Sequence, residues 1–157
     1  MTEPAQFDTF VLERTFAAPL ARVYRAFSDP REKQRWFAEG AQHEIERYDM
    51  QFDVGGRELA RYRFKPGTPF AGATLESDGY FLDIVPDHRI VSAATMAMDG
   101  RLFSASLLTF EFFDGPGATR LVFTHQAMYG GGADGPEVRQ AGWRQLLDQL
   151  HGTLSVG

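Results

Sequence analysis

From Gln42 to Met128 the sequence is a succession of strand-length segments cut by turn signals, and it then enters one long amphipathic segment. That order constrains the fold more than any other feature. An antiparallel sheet with one apolar face must cover that face, and only the final segment, about Gly135 to Leu154, is long enough to do it. Val138, Ala141, Leu146, Leu150 and Leu154, with Trp143 and Leu147, give this segment a broad apolar stripe. Arg139, Arg144, Asp148 and Gln149 populate its other side, as expected of a helix lying on a core. At roughly 18 residues and about 1.5 Å per residue it crosses most of a small domain.

The segments before it follow the two-residue strand period. In Phe7 to Phe16, the residues Phe10, Leu12, Arg14 and Phe16 share one face. Ala18-Pro19 then opens a helix with Leu20, Val23, Tyr24 and Phe27 at helical spacing, Pro19 being suited to its first turn. Asp29-Pro30 starts a second short helix through about Trp36-Phe37, closed near Gly40. Strands are predicted for His43 to Phe52, Arg57 to Phe64, Ala73 to Val85, Arg89 to Met98, Leu102 to Phe113 and Thr119 to Met128. The intervening turns include Asp53-Val54-Gly55-Gly56, Asp99-Gly100 and Asp114-Gly115-Pro116-Gly117. A run of strands with helices at its ends makes an α+β architecture. No linker, repeat or low-complexity tract divides it, so residues 7–154 are expected to form one domain, with residues 1–6 a flexible N-terminus.

Composition narrows the function. A net charge of -5 and a pI near 5.3 argue against a nucleic-acid partner, which needs a basic face. Zero cysteines exclude disulfides, thiolate zinc sites and a cysteine nucleophile, and fit a cytoplasmic location. Met1 to Asp8 lack a basic region and an apolar run, so no signal peptide is expected, and no stretch is apolar for long enough to insert in a membrane. His43, His88, His125 and His151 have no ligand spacing for a metal, and no cofactor is implied. Gly130-x-Gly132-x-x-Gly135 matches a dinucleotide fingerprint but lacks the second strand of a βαβ unit. Those glycines are better suited to a hinge. The aromatic fraction of 13%, with 14 Phe, fits either an aromatic core or an apolar pocket.

Several segments together resemble one family. They are Glu13-Arg14-Thr15-Phe16-Ala17-Ala18-Pro19, Val23-Tyr24-Arg25-Ala26-Phe27-Ser28-Asp29-Pro30, Trp36-Phe37, Asp53-Val54-Gly55-Gly56-Arg57, Gly79 to Val91, and Gly142-Trp143 with Leu146-Leu147-Asp148-Gln149-Leu150. In order and spacing this is similar to the bacterial branch of the activator of heat shock protein 90 ATPase-like family. That family lies within the START-like superfamily, which includes polyketide cyclases and lipid-transfer proteins. The resemblance implies a helix-grip fold, a bent antiparallel sheet of six to seven strands around the C-terminal helix with a cavity between. It implies less about function, because members include binders, cyclases, toxin-resistance proteins and co-chaperones.

A helix across a bent sheet contacts only part of it, and an unfilled wedge can hold a ligand. The expected wall is Phe52, Tyr62, Phe64, Tyr80, Leu82, Met96, Phe103, Leu108, Phe110, Phe123, Trp143 and Leu147, each of which could equally be plain core. Arg14, if inward, needs an acidic partner, for which Glu76, Asp78 and Glu111 are available. Arg57, Arg61 and Arg63 project from one face, fitting a solvated convex surface or an anion site. His125 shares a face with Leu121, Phe123 and Ala127, where the family resemblance implies an acid. It is either a satisfied core residue or a ligand-orienting group near neutral pH.

The leading expectation is a binder of a small hydrophobic molecule rather than an enzyme. A cyclase- or hydrolase-like enzyme would need His125, Arg14, Tyr80 and Glu76 gathered inside. A co-chaperone role would make heat shock protein 90 the partner. Either a monomer or a homodimer is compatible with the sequence.

Overall fold

The computed structural model describes residues 3–156. Of the residues expected to be flexible, the first two lie outside that range. Glu3 to Ala5 are irregular and exposed, and the first strand already begins at Gln6.

Turn chemistry organises the chain into a meander. The strands are β1 (Gln6–Phe16), β2 (His43–Met50), β3 (Arg57–Phe64), β4 (Thr74–Val85), β5 (Arg89–Met98), β6 (Arg101–Gly115) and β7 (Ala118–Tyr129). Between β5 and β6, Asp99 and Gly100 both take positive φ, 49° and 81°. That is the pair of left-handed residues a two-residue hairpin turn demands. The strands form one antiparallel sheet in the order β1-β7-β6-β5-β4-β3-β2. Every neighbour is a neighbour in sequence except β1, which lies against β7 with Gln6 opposite Tyr129 and Phe16 opposite Thr119.

Three helices complete the fold: α1 (Leu20–Ser28), α2 (Pro30–Lys33) and α3 (Pro136–Val156). Pro19 stands one place earlier than expected, at the cap of α1, where its carbonyl accepts from the amides of Arg22 and Val23. Asp29 caps α2 as its sequence position implies, accepting from the amides of Arg31 at 2.9 Å and Glu32 at 3.4 Å. The helix then widens into a π-turn, Gln34–Ala38, which aims the Trp36 Nε1–H at the Ala26 carbonyl, 2.8 Å away. Gln149 of α3 donates to the carbonyls of Trp36 and Glu39, so the π-turn and α3 are tied together.

The helices cover one face of the sheet, but unevenly. α3 packs on the π-turn, β1 and α1. Beneath its C-terminal half, cross-strand rows of large residues fill the interior: Leu12, Phe123, Phe110 and Ile90 in one, Leu121 and Phe112 in the next. Val23, Phe27, Trp36, Trp143, Leu147 and Leu150 meet them there, and all of these are buried. Packing is dense, with Phe110 stacked on Phe123 at 4.4 Å and Trp143 leaning on both. No helix among the described residues is long and apolar enough to cross a membrane.

Candidate functional site

Toward the N-terminal end of α3 the same face changes character. Past the row of Phe10, His125, Leu108, Ser92 and Phe81, the following one reads Glu58, Gly79, Ala94, Ser106, Ala127 and Asp8 across β3, β4, β5, β6, β7 and β1. The row beyond it reads Ala60, Ser77, Met96, Ser104, Tyr129 and Gln6. Their central positions hold residues no larger than serine, apart from Met96. Gly79 is a special case, since a Cβ there would meet the Ala93 carbonyl at 2.8 Å and the Ala94 Cβ at 3.0 Å. Ser77, Ala94, Met96 and Ser106 face inward yet remain half-buried, so the large side chains stop short of this end. The interior is a filled half and an underfilled half.

Two buried polar clusters flank the underfilled half. At the β3 side, Lys33 is 5% exposed and places its Nζ 2.9 and 2.8 Å from the two carboxylate oxygens of Glu58. Its charge also lies 4.8 Å from the Phe37 ring centre, and Tyr48 donates its hydroxyl to Glu58 at 2.7 Å. Burial and then the Glu58 charge push the Tyr48 hydroxyl well above its usual range. Both Glu58 oxygens are thereby paired, and the cluster ties α2 to the sheet.

At the β7 side, Arg139 from the first turns of α3 is 7% exposed. It makes two bonds to Asp134, 2.7 and 2.9 Å, and reaches Ser104 at 2.9 Å and Ser106 at 3.3 Å. Its guanidinium lies 5.2 Å from the centre of the Tyr129 ring. His125 stacks flat on Phe10 at 4.6 Å, with burial and the nearby Arg139 pushing its pKa down to about 4. The His125 Nδ1 and the Tyr129 hydroxyl are buried without a hydrogen-bond partner. Among the described residues, no cluster of three or more His, Asp or Glu side chains is arranged to hold a metal ion.

The structure sorts the expected wall residues into three groups. Leu108, Phe110, Phe123, Trp143 and Leu147 are buried within the filled half or at its border, and Phe52 joins it by an edge contact with Phe81. Tyr62 and Met96 border the underfilled half, while Phe64 sits at the end of β3 against His43 and Phe70. Tyr80, Leu82 and Phe103 do not face the interior. Tyr80 and Leu82 are 50% and 51% exposed, and buried Phe81 takes the inward place. Leu82 is the extra residue of a bulge opposite β5, which reverses the alternation counted back from Ile84. Phe103 is likewise the extra residue of a bulge in β6, next to inward Ser104.

The four polar residues considered for catalysis do not converge. Arg14 does face inward, but its partner is Asp148 of α3, 2.7 Å away, and not a strand carboxylate. Glu76 is on the outer face, bonded to Arg61, and Tyr80 shares that face. Arg57, Arg61 and Arg63 lie there too, paired with Asp78, Glu76 and Glu46, so they form an ion-pair ladder with no free cationic cluster. Only His125 lies beside the underfilled half. The Lys33–Glu58–Tyr48 cluster and the serines of β5 and β6 escaped sequence reasoning. The runs of small residues Ser92-Ala93-Ala94-Thr95 and Ser104-Ala105-Ser106, set in two adjacent strands, were the available signal.

Comparison with known proteins gives the same fold. No curated protein matches the chain at a significant level. A solved protein from Rhizobium leguminosarum superposes with a TM-score of 0.89 at 35% identity, covering 98% of both chains. A second, from Rhizobium loti, gives 0.84 at 34% identity over 96% of this chain and 99% of that one. The solution structure of an AHSA1-like protein from Aeromonas hydrophila shares the fold, with a TM-score of 0.67 at 21% identity over 95% and 93% of the two chains. Residues 17–155 match the model of the family described as Activator of Hsp90 ATPase homolog 1-like protein. With the helix-grip architecture and nearly the whole length accounted for, the chain belongs to that family.

Proposed function

We propose that the protein binds a small, largely apolar molecule over the underfilled half of the sheet, beneath the N-terminal turns of α3. One observation carries this reading: Ser77, Ala94, Met96 and Ser106 point inward and are still half-buried. Side chains of this size leave a concave surface, and Trp143 and Phe37, 5.8 Å apart, offer it an aromatic end. Concave, mainly apolar space with a few polar groups at its margin is the usual form of a small-molecule site.

Naphthalene serves as a probe, with quenching of Trp143 fluorescence as the readout. Saturable binding is expected, and Ala94→Phe, which projects a ring into the space, should abolish it while leaving the unfolding midpoint within a few degrees. Absence of saturable binding, or binding undiminished in Ala94→Phe, would refute the reading. The cyclase- or hydrolase-like alternative loses its support, because Arg14, Tyr80 and Glu76 are remote from His125. A chaperone partner has the family description alone behind it, and stimulation of heat shock protein 90 ATP hydrolysis on mixing would establish it.

A further inference from the structure

We propose that two copies of this chain associate through the free edge of β1, the two first strands pairing antiparallel about Thr9 so that both sheets become one continuous sheet. The sheet has two edges, β1 and β2, and any edge offers a row of unpaired amides and carbonyls to a further strand. The two are built differently. β2 spans eight residues, of which Glu44, Glu46, Arg47 and Asp49 are charged, and its pairing is broken by a bulge at Glu46. Charge and bulge are the usual means of blunting an edge. β1 runs eleven residues in unbroken register with β7, and from Gln6 to Leu12 its only charge is Asp8. Among the described residues, no backbone group outside β7 hydrogen-bonds to the backbone of β1.

The outward side chains of this stretch are complementary to themselves. Phe7 and Val11 are 78% and 52% exposed, with Thr9 exposed between them. Pairing about Thr9 sets Phe7 opposite Val11 of the second copy, Thr9 opposite Thr9, and Val11 opposite Phe7. An aromatic side chain against a β-branched one, and threonine against threonine, are favourable cross-strand pairs. The apolar residues that a single chain leaves in water then cover one another, and the two-fold relation closes the contact at two copies. The outer face continues without charge, with Met128 and Ala105 beside Phe7, and Gln126 and Leu107 beside Thr9. No like charges are therefore brought together there.

The register follows from where α3 is attached. Pairing about Val11 would draw Arg14 and Phe16 into the seam, the end of β1 that meets α3 through the Arg14–Asp148 ion pair and the Phe16–His151 ring contact. Pairing about Thr9 engages only Gln6 to Leu12 and leaves that end clear. Seven residues from each copy make a seam of about 23 Å. That is a small interface, so the association is reversible and depends on concentration.

Sedimentation of the full chain from low to high micromolar concentration reads the association, and a monomer–dimer equilibrium is expected. Val11→Lys puts a charge on the edge at an already exposed position. It should weaken the dimer about tenfold through loss of both Phe7–Val11 pairs, with the urea midpoint unchanged. Because the chain has no cysteine, single replacements locate the seam. Thr9→Cys sets two thiols directly opposite, within disulfide reach, and should give a covalent dimer on mild oxidation. Val11→Cys leaves its two thiols four residues apart along the seam, about 13 Å, and should not. A chain that stays monomeric throughout overturns the proposal and leaves the edge to a strand of another protein. A dimer undiminished by Val11→Lys, or one that Thr9→Cys fails to cross-link, overturns it too, because the contact then lies elsewhere. Equal cross-linking of both cysteine variants, the mark of random collision, does the same. Should Val11→Lys fail to fold, the two cysteine variants decide.

Discussion

Lys33 is buried at a place where an unpaired ammonium would be intolerable, and the two oxygens of Glu58 are what permit it. Replacing Lys33 by Met leaves that carboxylate charged and desolvated, so a loss of about 3–5 kcal/mol is expected in urea unfolding. Adding Glu58→Gln in the same chain should recover most of it, which a simple packing defect would not do. His125 makes a prediction in pH. Its folded pKa is depressed to about 4 from the 6.5 of an exposed histidine, so the unfolded chain takes up the proton first. Its contribution is fully present above about pH 6.5 and is lost as pH falls toward 4, with a slope of up to about 1.4 kcal/mol per pH unit. Comparing urea midpoints of the unaltered chain and His125→Phe across that window isolates the effect from the carboxylates. If both lose stability in parallel, the imidazole is not held neutral. Side-chain partnerships of this kind were the least legible in the sequence. Arg14 visibly needed an acid, but its partner, Asp148, lies on the last helix, and no local pattern connects two residues so far apart in sequence.

Among the elements, capping and turn chemistry could be read directly. Asp29 accepts from the first amides of α2, and Asp29→Ala should cost about 1 kcal/mol in thermal unfolding. An unchanged midpoint would mean that the Trp36 and Gln149 bonds hold this segment unaided. The elements that resisted reading all depart from a regular period. The π-turn inserts an i→i+5 bond, from the Glu39 amide to the Gln34 carbonyl, where helical spacing had suggested an ordinary second helix. The bulges at Leu82 and Phe103 each shift the alternation by one residue. A two-residue period says which residues share a face only until an extra residue intervenes, and that is why Tyr80 and Leu82 were assigned to the wrong side.

For the molecule as a whole, the order of elements along the chain, a sheet of six to seven strands and the covering helix followed from the spacing of turns and from the family resemblance, while the pairing of β1 with β7 did not. The division of the interior did not, because it depends on which small residues stand side by side across five or six strands. That division predicts unequal tolerance to enlargement. Ala26→Leu, in the filled half where Ala26 is 1% exposed, should cost about 1–3 kcal/mol by overpacking. Ala94→Leu, in the underfilled half, should change stability by less than about 1 kcal/mol. Equal penalties in urea unfolding would show that both ends are packed alike.

The pairing of the first strand with the last has a consequence for biosynthesis. As the chain leaves the ribosome, β3 to β7 can each zip onto the strand made just before, but β1 must wait until Tyr129 has emerged before its ladder can close. The apolar side chains of Phe10, Leu12 and Phe16 stay without their strand neighbours through most of translation, and their shielding is completed only when the final helix is released.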